Sequence, residues 1–177
     1  MAHPQVGMIS FTGSIRAGQA IMANAVPGLK RLSLELGGND AAIVLPDVDI
    51  ASVASKLFMG AFYRSGQVCA AIKRLYVHRD IVGPLTEALR NVAEAAVPGD
   101  PFDPSATLGP LSNRQQFEIV KGLVDAAVAQ GGSVVTGGGA AGSARLFLPA
   151  DPDRRCRRDQ SAGAGRAVRP RPSDHLL

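Results

Sequence analysis

The run Ala41-Ala42-Ile43-Val44-Leu45, followed through PDVDIASVASKLFMGAFYRSGQVCAAIKRLYV to Val77, decides the fold. AAIVL is a short apolar run with the length of a buried strand. Asp49 is placed to cap a helix that runs to about Tyr63, with Val53, Leu57 and Met59-Gly60 inside it. Ser65-Gly66-Gln67 is a turn signal that leads into Val68-Cys69, and Leu75-Tyr76-Val77 is a second strand. Strand, helix, strand in so few residues predicts a crossover unit with parallel pairing.

The same alternation extends in both directions. Upstream, Val6 to Phe11 reads as a strand ending in Thr12-Gly13-Ser14, with Ser14 a good helix cap. Arg16 to Val26 reads as a helix stopped at Pro27-Gly28, and Leu32 to Leu36 as a strand closed by Gly37-Gly38. Downstream, Ile81 to Ala96 is an amphipathic helix and Pro98 to Pro110 a loop. Arg114 to Gln130 is a further helix, and Ser133 to Thr136 a strand. The expected class is α/β with substantial parallel sheet and no internal repeat. Regular patterning stops near Pro149. The segment from Asp151 to Leu177 is rich in Arg, Gly, Ala and Pro, and such a segment buries too little apolar surface to offset its ordering entropy. It is expected to be disordered.

Composition narrows the function classes. The 177 residues are 46% hydrophobic and 19% charged, an ordinary globular balance. No apolar run approaches the roughly 18–20 residues of a membrane span. MAHPQVGMIS has neither the basic start nor the apolar core of a secretory signal, so a cytoplasmic location is expected. The two cysteines, Cys69 and Cys156, make no disulfide framework and no zinc set. The net charge of +4 resides mostly in the tail, where seven Arg stand against four Asp. That excess allows weak, salt-sensitive polyanion binding but indicates no specific nucleic-acid partner.

Three places could carry chemistry, each with a plain alternative. Cys69 follows a glycine turn, where a thiol can project into a cleft; a lone cysteine among apolar neighbours is also an ordinary small core residue. Glu35 lies between Leu34 and Leu36. It either points to solvent by strand alternation or faces a cleft, where desolvation would favour a general base. Gly13-Ser14 to Gly18 opens a helix after a strand, a geometry that can hold an anion and that also occurs in sheets that bind nothing.

Taken together, Phe11-Thr12-Gly13-Ser14 with Gly18, then Leu34-Glu35-Leu36-Gly37-Gly38-Asn39, then Gly66-Gln67-Val68-Cys69 resemble the aldehyde dehydrogenase superfamily in order and spacing. His3-Pro4, the strand AAIVLPDVD, Gly99-Asp100-Pro101 with Asp103-Pro104, and Leu108-Gly109-Pro110 fit the same pattern, which covers residues 2 to about 149. The resemblance implies that Cys69 attacks the aldehyde carbon, that hydride passes to NAD or NADP, and that Glu35 activates the water that hydrolyses the thioester. It implies one oxyanion donor in the Cys69 N–H, a cofactor-facing segment in Gly13, Ser14 and Gly18, and a nicotinamide-facing backbone at Leu36. The implied organisation is a remnant of the cofactor domain over 1–36, a catalytic domain over 37–149 and an arginine-rich tail over 150–177.

Departures from the family pattern accompany the matches. The family's upstream dinucleotide strands, its adenosine-binding lysine and the asparagine that completes the oxyanion hole have no counterpart. Loss of an oxyanion donor costs roughly 10²–10³ in rate. The tail departs from the family continuation, yet one codon choice for Asp151 to Asp159, read one base later, gives ILTDVADG. A similar choice for Gly165 to Leu177 gives EEQFGPALPIIS, the absent cofactor-contacting segment. The tail is therefore expected to be out of frame. With half the cofactor site and one oxyanion donor absent, the isolated chain is expected to be inactive; the alternative to an aldehyde dehydrogenase fragment is a silent remnant that serves at most as a binding or oligomerisation module. The resemblance also implies a small aldehyde substrate, no membrane partner and a homo-oligomer, although the subunit-joining strand lies beyond the departure point.

Overall fold

The computed structural model describes residues 3–137, 146–149 and 166–167. The chain divides into two compact units, Met1–Gly38 and Asn39–Leu177.

The first unit holds strand β1 (Met8–Thr12), helix α1 (Ile15–Ala25) and strand β2 (Arg31–Glu35). The strands pair in parallel, in register from Met8 opposite Arg31 to Thr12 opposite Glu35. Ser14 caps α1, its Oγ accepting from the Ala17 N–H at 3.2 Å, so the helix begins at Ile15, one residue before the expected start. Pro27 has no N–H to continue the ladder, and Val26–Gly28 tightens into a 3₁₀ turn ending on left-handed Leu29. Helix α1 buries Gly18, Ile21 and Ala25, which share one face at helical spacing.

The second unit begins with β3 (Asp40–Val44), α2 (Ile50–Phe62) and β4 (Ile72–Val77), the crossover predicted from residues 41–77. Strands β3 and β4 pair in parallel with an irregularity between Asp40 and Ala41. Asp49 caps α2, its carboxylate accepting from the Ala51 N–H. Helix α3 (Val82–Glu94) follows a 3₁₀ turn, and α4 (Arg114–Ala129) follows the long loop. The core joins Val44 to Ala54 and Phe58 of α2, Leu85, Leu89 and Ala93 of α3, and Ile81 and Leu108. Leu85, Leu89 and Ala93 stand at i, i+4, i+8 along one stripe, and burying each leucine contributes about 1.5–3 kcal/mol.

Strands β5 (Gly132–Thr136) and β6 (Leu146–Pro149) form an antiparallel pair, the exception to parallel pairing among the described residues. In the tail, expected to lack regular structure, Arg166–Ala167 form a two-residue strand β7 parallel to β4, with Leu75 opposite Ala167. This corrects the expectation at those two residues: the outer edge of β4 offers a row of backbone donors and acceptors that a passing segment can pair with. The remainder of 150–177, Cys156 included, lies outside the described residues.

Candidate active site

The turn carrying Cys69 is built from backbone strain and side-chain ties. Arg64, Ser65 and Gly66 adopt consecutive left-handed conformations, with φ of 51°, 58° and 74°. The left-handed region costs roughly 1–2 kcal/mol per non-glycine residue, so two such residues in a row need outside support. Ser65 Oγ donates to the Gly109 carbonyl at 2.6 Å. Gln67 donates through Nε2 to the Arg64 and Pro110 carbonyls, and its Oε1 accepts from the Ser112 N–H at 2.7 Å. The segment 109–112 is thus stapled to the turn that precedes the cysteine. Beyond it, the Ala71 N–H closes on the Val68 carbonyl at 3.1 Å.

Lys73, the second residue of β4, completes the arrangement. Its Nζ donates to three carbonyls, those of Val68 at 3.1 Å, Cys69 at 2.8 Å and Ala71 at 2.8 Å. An ammonium has three N–H donors and no acceptor, so this set uses all of them. The Cys69 thiol is free and exposed in this chain. Its N–H has no acceptor among the described residues.

The other expected site residues gather in the first unit. Glu35 ends β2 with an exposed side chain. Its carbonyl accepts from the Gly13 N–H at 3.0 Å, which fastens the glycine turn to the strand end and commits the Gly13 amide to the protein. Ser14 Oγ serves the Ala17 N–H and the Ser14 carbonyl the Gly18 N–H, which leaves the Ile15 and Arg16 amides at the open end of α1. Gly18 sits under Leu36: a Cβ there would lie 2.9 Å from Leu36 Cδ2, so the missing side chain lets Leu36 rest on the helix. The helix start has no acidic residue in its first turn, and Ile15 N–H, Arg16 N–H and the Ser14 hydroxyl could together donate to an anion. Among the described residues, no cluster of three His, Cys, Asp or Glu could hold a metal ion.

The sequence singles out the cysteine but assigns no site role to Lys73, Gln67 or Ser65. Lysine inside the apolar strand Ile72-Lys73-Arg74-Leu75-Tyr76-Val77 was the available signal for the first, since a cation there must find oxygen partners.

The aldehyde dehydrogenase family model matches residues 1–149. A probable aldehyde dehydrogenase of a Pseudomonas species is 43% identical over 147 residues, which are 83% of this chain and 30% of that protein. A 2-hydroxymuconic semialdehyde dehydrogenase of another Pseudomonas strain is 43% identical over 137 residues, 77% of this chain and 28% of that protein. Among solved structures, PnpE from Pseudomonas sp. WBC-3 superposes with a TM-score of 0.83 at 34% identity, covering 95% of this chain and 37% of that one. A mutant aldehyde dehydrogenase C from Pseudomonas syringae, crystallised with NAD+ and octanal, gives 0.74 at 38% identity over 77% of this chain and 28% of that one. The chain spans 28–30% of the length of these curated relatives. With the family's pattern matched over 1–149 and its fold superposing closely, the chain belongs to the aldehyde dehydrogenase family.

Proposed function

We propose that the chain carries the nucleophile and the base of an NAD(P)-dependent oxidation of an aldehyde to a carboxylic acid. The observation that carries the reading is the Cys69 turn: an exposed thiol on a backbone fixed by Lys73, with an amide left unspent beside it. Cys69 Sγ adds to the aldehyde carbon, and the developing oxyanion is met by the Cys69 N–H. The dinucleotide, when bound, supplies the hydride acceptor. Ile15 N–H, Arg16 N–H and the Ser14 hydroxyl would hold its phosphate, and Gly18 keeps Leu36 close to the helix that bears it. Glu35 takes a proton from the water that attacks the Cys69 thioester, releasing the acid and the thiolate. The relatives are named for aldehydes as different as 2-hydroxymuconic semialdehyde and betaine aldehyde, so the proposal specifies the aldehyde group alone.

Among the described residues no helix is long and apolar enough to cross a membrane. A cytoplasmic location and a homo-oligomer belong to the same proposal, read by fractionation and by light scattering.

Reduced cofactor formed by the purified chain from a panel of aldehydes with NAD or NADP, and abolished in Cys69→Ala, supports the assignment. Undiminished turnover in Cys69→Ala overturns the assignment. One observation favours a second reading, a catalytically silent module: both Cys69 and Glu35 are exposed in this chain, which leaves their chemistry open to water. No reduced cofactor with any aldehyde, while Cys69 still takes a thiol label, selects that reading.

A further inference from the structure

We infer that Lys73 is a positioning residue for the acyl-transfer chemistry of Cys69, aiming the Cys69 N–H at the oxyanion. The inference rests on the proposed role of Cys69 as nucleophile. In a trans peptide the C=O and the following N–H point in opposite directions across one rigid plane. The Val68 carbonyl and the Cys69 N–H belong to one such plane, and the Cys69 carbonyl and the Ala70 N–H to the next. Lys73 Nζ holds the first carbonyl at 3.1 Å and the second at 2.8 Å, so it fixes both planes at once. With its carbonyl drawn toward the ammonium, the Cys69 N–H points away from it, and it has no acceptor among the described residues. The third bond, to Ala71 at 2.8 Å, anchors the ammonium against a residue only 4% exposed at the base of the turn.

Carbonyl dipoles that converge on one point repel each other, and a cation at that point reverses the sign of the interaction. A neutral side chain of the same length leaves the Cys69 carbonyl without that donor and the Val68 carbonyl with the Ala71 N–H alone, so the hold on both peptide planes loosens. The thiol itself makes no bond to Lys73 and keeps its exposure. The effect therefore falls on reactions that pass through an oxyanion and spares those that do not.

Two reactions of the same sulfur separate these cases, and neither needs the dinucleotide. With p-nitrophenyl acetate, Cys69 forms an S–C bond, the ester C–O bond breaks and p-nitrophenolate leaves, by way of a tetrahedral oxyanion. With iodoacetamide, the S–C bond forms as iodide leaves, and no oxyanion arises. In Lys73→Met the acylation rate is expected to fall on the order of 10²-fold while alkylation stays within about 2-fold. Lys73→Gln, with two donors on a shorter stem, is the second variant should Lys73→Met fail to fold, and the same fall in the acylation-to-alkylation ratio is expected. A ratio at the wild-type value in a folded variant overturns the role of Lys73, whether both rates hold or both fall together. A wild-type chain that Cys69→Ala leaves equally reactive toward the ester overturns the nucleophile reading itself, and the two failures are distinguishable.

Discussion

Gly66 is the point where the Cys69 turn depends most on one residue type. Its φ is 74°, and a Cβ there would lie 3.2 Å from the Ala61 carbonyl oxygen. That oxygen belongs to helix backbone and cannot swing aside as a side-chain tip can. Gly66→Ala is therefore expected to lose about 1–2 kcal/mol, read as a lowered urea midpoint with an unchanged slope. An unmoved midpoint would show that the turn absorbs the strain. The two preceding residues already carry left-handed backbone without being glycine, so little slack remains. At this scale the sequence exposed the cysteine and hid its support. Cys69 stands in a local string whose order is readable, as do Glu35, Gly13 and Ser14. Lys73 acts through backbone carbonyls, which every residue possesses, so no residue type in the sequence marks its partners. Gln67 was visible within its motif, but two of its partners lie more than forty positions away, at Pro110 and Ser112.

Among the elements, those set by local chemistry were the legible ones. Ser14 and Asp49 announced α1 and α2, and both accept the N–H bonds a cap should accept. The apolar stripe of α3 announced its buried face. Strands β6 and β7 were not legible, because their existence depends on partners, β5 and β4, that periodicity does not name. The loop between α3 and α4 is ordered by its own polar side chains, and it gives a pH prediction. Ser105 donates to Asp103 Oδ1 through its hydroxyl at 2.7 Å and its N–H at 2.9 Å, and the hydroxyl bond, then the N–H bond, hold the carboxyl below its ordinary 3.8. A depressed carboxylate adds stability that is present above the unfolded value of 3.8 and is lost as pH falls through the folded one. In Ser105→Ala the larger contribution disappears and the backbone bond stays. Asp103 should then titrate closer to 3.8 yet still below it, as followed by carboxyl chemical shift; an unchanged titration would assign the shift elsewhere.

For the molecule as a whole, the two units differ in what holds them. In the second, a cluster of eight buried residues draws on β3, α2 and α3, with Leu85 only 1% exposed. In the first, the buried hydrophobics among the described residues are Ile21 and Ala25 of α1, and the sheet is the pair β1–β2. A two-stranded sheet with so few buried apolar neighbours is marginal, whereas strands packed on a shared core open only when that core opens. The sequence does not show this inequality, because it follows from how many apolar side chains converge in space. Native-state hydrogen exchange should resolve it. The hydrogen-bonded amides of β1 and β2 are expected to exchange on the order of tenfold or more faster than those of β3 and β4, equivalent to about 1.4 kcal/mol in opening free energy. Equal protection in the two strand pairs would mean that the chain opens as one cooperative body, and that the Glu35 strand is held as firmly as the strand that follows Cys69.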